Sequence, residues 1–275
     1  MAEVRFLVFD VESVADGMLI SKIRFPGQQL AAKEAISAYR KELMERQGSD
    51  FIPYSFQFPL AIAIAKVAED YTLIDLVVLD EPAYRPHVMT DYFWRGWEAY
   101  RRPTLVTFNG RGFDLPLLEL AAFRFGLNIG GWLDQHGPTY QQPRYRYNME
   151  SHLDLCDTLT NFGAVRLNGG LNLTASLLGK PGKIDVQGDM VQDLYDEGKT
   201  EAIADYCRCD VLDTYFVFLR VAVMAGKLSL EREQQLIADT KQWLQERAST
   251  QAAYHTYLKN WGDWPNPWES PRSPG

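Results

Sequence analysis

The order of residues predicts an α/β fold in which a mixed central β-sheet is flanked by α-helices. Strand-like apolar runs crowd the first half of the chain and helical spacing dominates the second. Between them the pattern alternates strand, helix and strand, which is how a layered sheet with helices on its faces is written. The 275 residues are 46% hydrophobic and 13% aromatic, enough for a substantial buried core.

Taken in order, Arg5 to Phe9 is a short apolar run typical of a buried strand. Asp10 closes it, at the C-terminal end where open α/β sheets place ligands. From about Gln28 to Arg46 the residues Leu30, Ile36, Tyr39 and Leu43 recur at helical spacing among charges. This predicts an inserted helix on a long excursion, residues 21–58, broken by the stretch from Gly48 to Pro59. Strands at Leu60–Val67 and Tyr71–Leu79 follow, joined as a hairpin at Glu69-Asp70. Next come a helix over Val88–Tyr100, a strand over Thr104–Phe108 and a helix over Leu115–Phe125. A loop rich in Gly, Pro, Gln and Tyr, from Gly130 to Asn148, leads to a short strand at His152–Leu155. The remainder reads as helices at Leu171–Leu178, Met190–Tyr195, Glu201–Met224 and Leu230–Arg247. An extended tail is predicted beyond about Asn260, carrying Trp261, Trp264 and Trp268 with Pro265, Pro267, Pro271 and Pro274. The division expected is a main domain over residues 1–226, then a C-terminal helix and Trp/Pro-rich tail over 227–275.

Net charge is −8, from 28 basic and 36 acidic residues, and the isoelectric point is near 5.1. That argues against a polyanion binder held by global charge, so any nucleic-acid contact must come from a local basic patch. Bound metal ions would offset clustered carboxylates locally. Cys156, Cys207 and Cys209 are odd in number and form no CxxC pair, which speaks against a disulfide framework and a structural zinc site. A reduced cytoplasmic setting is the expectation. The N-terminal apolar run is too short for a secretory signal, and no apolar stretch approaches membrane-spanning length.

Three short segments carry chemistry. Asp10 and Glu12 lie two apart on a strand and therefore share one face. Asp114 ends the segment Asn109-Gly-Arg-Gly-Phe-Asp114, where Gly110 and Gly112 allow tight turns and Phe113 packs beneath the loop. Taken alone, the segment leans towards a helix cap at Asp114, though cap and metal ligand could both be partly true. Tyr206 and Asp210 are one helical turn apart and project from the same side. Asp205 should point elsewhere, and Asp213 is a possible substitute for Asp210. Hydrolysis of a phosphodiester calls for such a carboxylate set, holding two divalent ions about 4 Å apart. Magnesium and manganese favour oxygen donors. Lower-ranked candidates are Arg144-Tyr145-Arg146-Tyr147, which alternates charge with stacking surface, the pair His152 and Asp154 as a strand end, and Lys180 and Lys183 as solvated loop lysines.

In combination, FDVES, FNGRGFD and YCRCD resemble the three motifs of the tyrosine-containing branch of the DEDD 3′–5′ exonuclease superfamily. The chain looks most like the stand-alone exonucleases similar to the proofreading exonuclease domain of family B DNA polymerases. The likeness covers roughly residues 4 to 225 and leaves the excursion and the C-terminal stretch outside it. Ser13 stands where many relatives have threonine. The resemblance implies a ribonuclease H-like fold and a two-metal mechanism with Mg²⁺ or Mn²⁺. Carried over, Asp10 bridges both ions, Glu12 and Asp210 complete one, and Asp114 supports the other. Tyr206 aligns the attacking water, while Asn109 and Phe113 meet the substrate. The implied partner is the 3′ end of a single strand, DNA ahead of RNA. An exoribonuclease and a non-catalytic nucleic-acid-binding module on the same fold stay open as alternatives.

Overall fold

The structure, a computed structural model, describes residues 3–182 and 190–268. Five strands form one sheet in the order β3-β2-β1-β4-β5. They are β1 (Val4–Ala15), β2 (Gln57–Ala68), β3 (Leu73–Val78), β4 (Thr104–Thr107) and β5 (His152–Asp154). β2 is antiparallel to both β1 and β3, whereas β4 lies parallel to β1 and to β5. The expected mixed sheet flanked by helices is what the chain forms. Leu7, Val8 and Phe9 are almost fully buried, as are all four residues of β4, the pattern of strands covered on both faces.

Alternation along β1 assigns those faces. Phe6 packs on Phe218 of α8 (Thr200–Met224), ring centroids 5.0 Å apart. Phe9 turns the other way, to Phe93 of α3 (Pro86–Ala99), at 4.8 Å. Asp10 and Glu12 share the parity of Phe6 and so face α8. On the α3 side lies α4 (Asp114–Phe125), which packs on α3 and β2.

Two readings of the first hundred residues need correction. β1 does not stop at Asp10; its antiparallel partner β2 continues to Gln57 and carries it on to Ala15. What ends near Asp10 is the ladder to β4, which pairs only with Phe6, Leu7 and Val8. Asp10 and Glu12 therefore sit inside a strand, at the edge from which its parallel neighbour has departed. The excursion holds two helices rather than one, α1 (Gly17–Arg24) and α2 (Ala32–Gln47). Asp16 caps α1 by accepting the Leu19 N–H at 3.0 Å, and Ile20, Ile36, Tyr39, Leu43 and Ile52 give the excursion its own small core.

In the second half, α5 (Leu155–Thr160), α6 (Gly170–Leu177) and α7 (Val191–Asp196) lead to α8, whose residues from Tyr206 to Leu219 are all buried. α9 (Leu230–Arg247) and α10 (Ala252–Lys259) brace it from outside. α5 and α10 had no counterpart among the predicted elements. The tail docks in part. Trp261 meets Phe216 at 5.3 Å and covers the Lys180 ammonium, 4.0 Å from its ring. Lys180 is thus buried rather than solvated, and desolvation pulls its pKa down to about 8. The Gly262 N–H donates to Gly179 O at 2.8 Å, with Gly179 at φ +68°. Trp264 stacks on the Arg220 guanidinium at 4.2 Å, while Trp268 is exposed. Lys183, Pro271 and Pro274 lie outside the described residues.

About one turn beyond Asp210, Asp213 is wholly buried and accepts the Tyr257 hydroxyl at 2.6 Å. It does not join the other acids and so is no substitute for Asp210. Burial pushes its pKa from 3.8 up to about 8. Between those values the folded chain keeps a proton that the unfolded chain has released, so this contribution to stability is lost as pH rises. Urea denaturation should show wild type weakening from pH 5 to pH 8, with a shallower fall in Asp213→Asn.

Candidate metal centre

β1 and α8 together assemble the site. One carboxylate oxygen each from Asp10, Glu12 and Asp210 lie within 4.8 Å of one another. The buried Cys207 thiol wedges α8 against β1 beneath them, donating to Asp10 O at 3.4 Å and reaching Asp10 Oδ2 at 3.7 Å. Burial, and then the charges of Asp10 and Glu12, raise that thiol well above its ordinary pKa, so it remains an uncharged packing group. Nothing in the sequence marked Cys207, because one cysteine in a helix looks like any small apolar residue. Tyr206 and Asp210 share a flank of α8, and the phenol hydrogen-bonds the Asp210 carboxylate. Burial first, then Asp210, Glu12 and Asp10, hold the Tyr206 hydroxyl protonated far above its usual range.

Asp114 arrives from the other side of β1. It is the first residue of α4, not its cap, and accepts the Val11 N–H at 3.2 Å. Burial, reinforced by the charges of Asp154 and Asp210, pushes its carboxyl up to about 7. It lines the same cleft as Asp10 and Glu12 but stands outside the tight cluster of three. The loop that delivers it is fixed by Asp154, whose carboxylate accepts the N–H groups of Asn109 and Arg111, each at 2.9 Å. The same side chain caps α5 through Cys156 N at 2.9 Å. Asp154 is therefore the brace of the second motif, although the sequence showed only a strand end. The left-handed residue of this loop is Asn109, at φ +67°, not either glycine. Gly110 is required for space: a Cβ there would fall 2.5 Å from Thr107 Oγ1. His152 supports that threonine with Nε2 at 2.8 Å from the hydroxyl, and burial drops its pKa to about 3, so it is neutral.

Two clefts meet at Asp10, Phe108 and Asn109. One, of about 700 Å³, also holds Glu12, Phe113 and Asp114; the other, of about 1020 Å³, holds Asp210 and the glycine-rich segment near Arg166. Arg144 and Arg146 border a smaller adjoining hollow of about 430 Å³. Arg144 is already clamped on Glu119 by two bonds of 2.8 Å. Arg146 lies 5.6 Å from the Tyr147 ring, and Tyr145, Tyr147 and Phe162 meet edge to face. Asp205 points away, as expected, to Arg208 and Gln251. The acidic cluster offers oxygen donors only, and three like charges held this close call for a counter-ion. The donor set fits a hard divalent cation such as Mg²⁺ or Mn²⁺.

A family model described as a predicted 3′–5′ exonuclease related to the exonuclease domain of PolB matches residues 49–261. That span includes Asp114, Tyr206 and Asp210, whereas Asp10 and Glu12 precede it. It also runs through α9 and α10. Among solved structures, the family B DNA polymerase of the hyperthermophilic archaeon Pyrobaculum calidifontis matches with a TM-score of 0.49 and 15% identity. The match covers 80% of this chain and 24% of that one, so the chain spans about a quarter of the polymerase. No curated protein matches the sequence.

An ion held by this cluster should stabilise the folded state, by about 2.7 kcal/mol at a concentration 100 times its dissociation constant. Millimolar Mg²⁺ or Mn²⁺ is therefore expected to raise the melting temperature of wild type. Asp10→Asn and Asp210→Asn should each remove the shift, and a shift that survives both would place the ion elsewhere.

Proposed function

The chain belongs to the family of predicted 3′–5′ exonucleases related to the exonuclease domain of PolB, and from that premise we propose that it hydrolyses single-stranded nucleic acid from the 3′ end. DNA is the favoured polymer and nucleoside monophosphates are the products. The observation that carries this reading is the gathering of Asp10, Glu12 and Asp210 within 4.8 Å where two clefts join.

Asp10, Glu12 and Asp210 would hold two divalent ions, Mg²⁺ or Mn²⁺, with Asp114 behind them. Such ions activate water at neutral pH and neutralise charge on the leaving oxygen. The remaining work falls to the chain. Asp114, with its pKa raised to about 7, gives up its proton readily once positive charge is near. Tyr206 keeps its own proton, so it can donate a hydrogen bond that orients the attacking water beside Asp210. Asn109 lines all three hollows around the site, the place from which to hold the substrate strand. Phe113 is positioned to meet the strand from the smaller of the two clefts. Arg146 is the better cation for a phosphate, because Arg144 must first release Glu119; Tyr145 and Tyr147 offer ring edges beside it.

Residues 1–226 contain every member of the site, and the described part of 227–275 braces α8. A cytoplasmic location suits three free cysteines. Among the described residues no helix is long and apolar enough to cross a membrane.

The test is a 5′-labelled single strand, DNA and RNA in parallel, with and without Mg²⁺ or Mn²⁺. A descending ladder that needs the metal is expected, faster on DNA. Asp10→Ala and Asp210→Ala, folded by circular dichroism, should lose turnover by orders of magnitude. Tyr206→Phe should lose roughly 10–100-fold, the scale of an outer-shell orienting group. Aspartate variants that digest 3′ ends as well as wild type would refute the reading.

A further inference from the structure

The excursion between β1 and β2 contributes nothing to the acidic cluster, yet it walls the cleft containing Asp10, Glu12 and Asp114. Its lining residues are Arg40 from α2 and Asp50, Phe51 and Ile52 from the segment after it. Phe51 is 59% exposed, an unusual position for a phenylalanine. It is not loose. Its neighbour Ile52 is buried in the excursion's own core. Ile52 O accepts the Gln57 side-chain amide at 2.5 Å, and Gln57 Oε1 in turn accepts the Ser13 hydroxyl at 2.7 Å. A short strap thus ties Phe51 to the residue after Glu12. Its ring lies 5.8 Å from that of Phe113, inclined by 54°, and Phe113 directly precedes Asp114.

Arg40 differs from the other arginines nearby. Arg24 and Arg46 both pair with Glu42, whereas Arg40 has no acidic partner among the described residues. A half-buried, unpaired guanidinium in a cleft of acids is suited to a phosphate, which it can engage in bidentate fashion. Asp50 is the one acid the excursion adds to this lining.

We propose that the excursion builds a nucleotide subsite beside the metal centre, in which the exposed ring of Phe51, backed by Phe113, stacks on the 3′-terminal base while Arg40 takes a phosphate oxygen. The proposal rests on the exonuclease reading and names the part of the substrate this wall receives. The cleft, about 700 Å³, lies within the ~300–1,000 Å³ range of small-ligand sites. Every base has a face to offer, so the subsite tolerates sequence. A terminal base still paired in a duplex is held by its partner and its neighbour and must be freed to enter the cleft, so the wall favours single strands and frayed ends.

Two readouts test this. In Mg²⁺, Phe51→Ala should raise KM for single-stranded oligonucleotides roughly tenfold, the scale of one lost base–aromatic stack, and Phe51→Tyr should restore it. Arg40→Gln should raise KM and flatten the dependence of log affinity on log salt by about 0.7. Phe123→Ala, at another highly exposed phenylalanine outside these clefts, serves as the control and should match wild type. Second, with Ca²⁺ replacing Mg²⁺, a 3′-terminal 2-aminopurine should be quenched by wild type and not by Phe51→Ala. If wild type digests 3′ ends and both variants equal it in KM, salt slope and quenching, the subsite is overturned and the exonuclease reading stands. If wild type digests no 3′ end, the exonuclease reading falls and the fluorescence decides alone. Quenching that depends on Phe51 then keeps a base site; its absence removes that too.

Discussion

The contact between α8 and β1 governs this molecule. Three carboxylates drawn within 4.8 Å repel one another; strand parity pairs Asp10 with Glu12, but nothing local would bring Asp210 to them. They are held there because Phe6 and Phe218 pack on one side, Cys207 fills the gap beneath, and the helix is buried along most of its length. The apolar interface is large and the electrostatic penalty is confined to one end of it. A divalent cation reverses the sign of that penalty, so the same geometry that burdens the free protein becomes a binding site.

A second level of organisation is built from main-chain groups. Past Val8, β1 has lost its parallel neighbour, so its amides on that edge need other acceptors. Val11 finds Asp114. Asp154 similarly gathers the amides of Asn109, Arg111 and Cys156 with one carboxylate. The second motif is therefore clamped at its start by Asp154 and joined to β1 at its end through Asp114. Arg111 adds a lateral tie to Asp157 at 2.7 Å. An acid with two or three amide partners orients a loop far more firmly than an exposed ion pair could.

Much of this was legible in the residues, and the exceptions have physical causes. Strand parity put Asp10 and Glu12 on one face, and helical spacing did the same for Tyr206 and Asp210. The sheet and its hairpin followed from runs of Val, Ile, Leu and Ala. The run ending at Asp10 suggested a strand end because a charge interrupts it; only the long partner β2 reveals that pairing continues. Asp114 leaned towards a cap because acids are common at helix starts; its place inside α4 and its bond from Val11, far away in sequence, show only in the fold. Lys180 looked solvated because the tryptophan that covers it lies some eighty residues on. Phe51 and Cys207 carried no local signal at all, as their significance is wholly a matter of what they face.

α8 carries two groups of residues with unlike duties. Tyr206 and Asp210 stand at the acidic cluster; further along the helix Asp213 receives Tyr257 and Phe216 receives Trp261. Clipping the polypeptide before α10 would strip that support, uncover the ammonium of Lys180 and strand a buried acid without its phenol. Protease nicking near residue 250 would then loosen the acidic cluster from a distance, with Tyr206 and Asp210 still in place along the sequence.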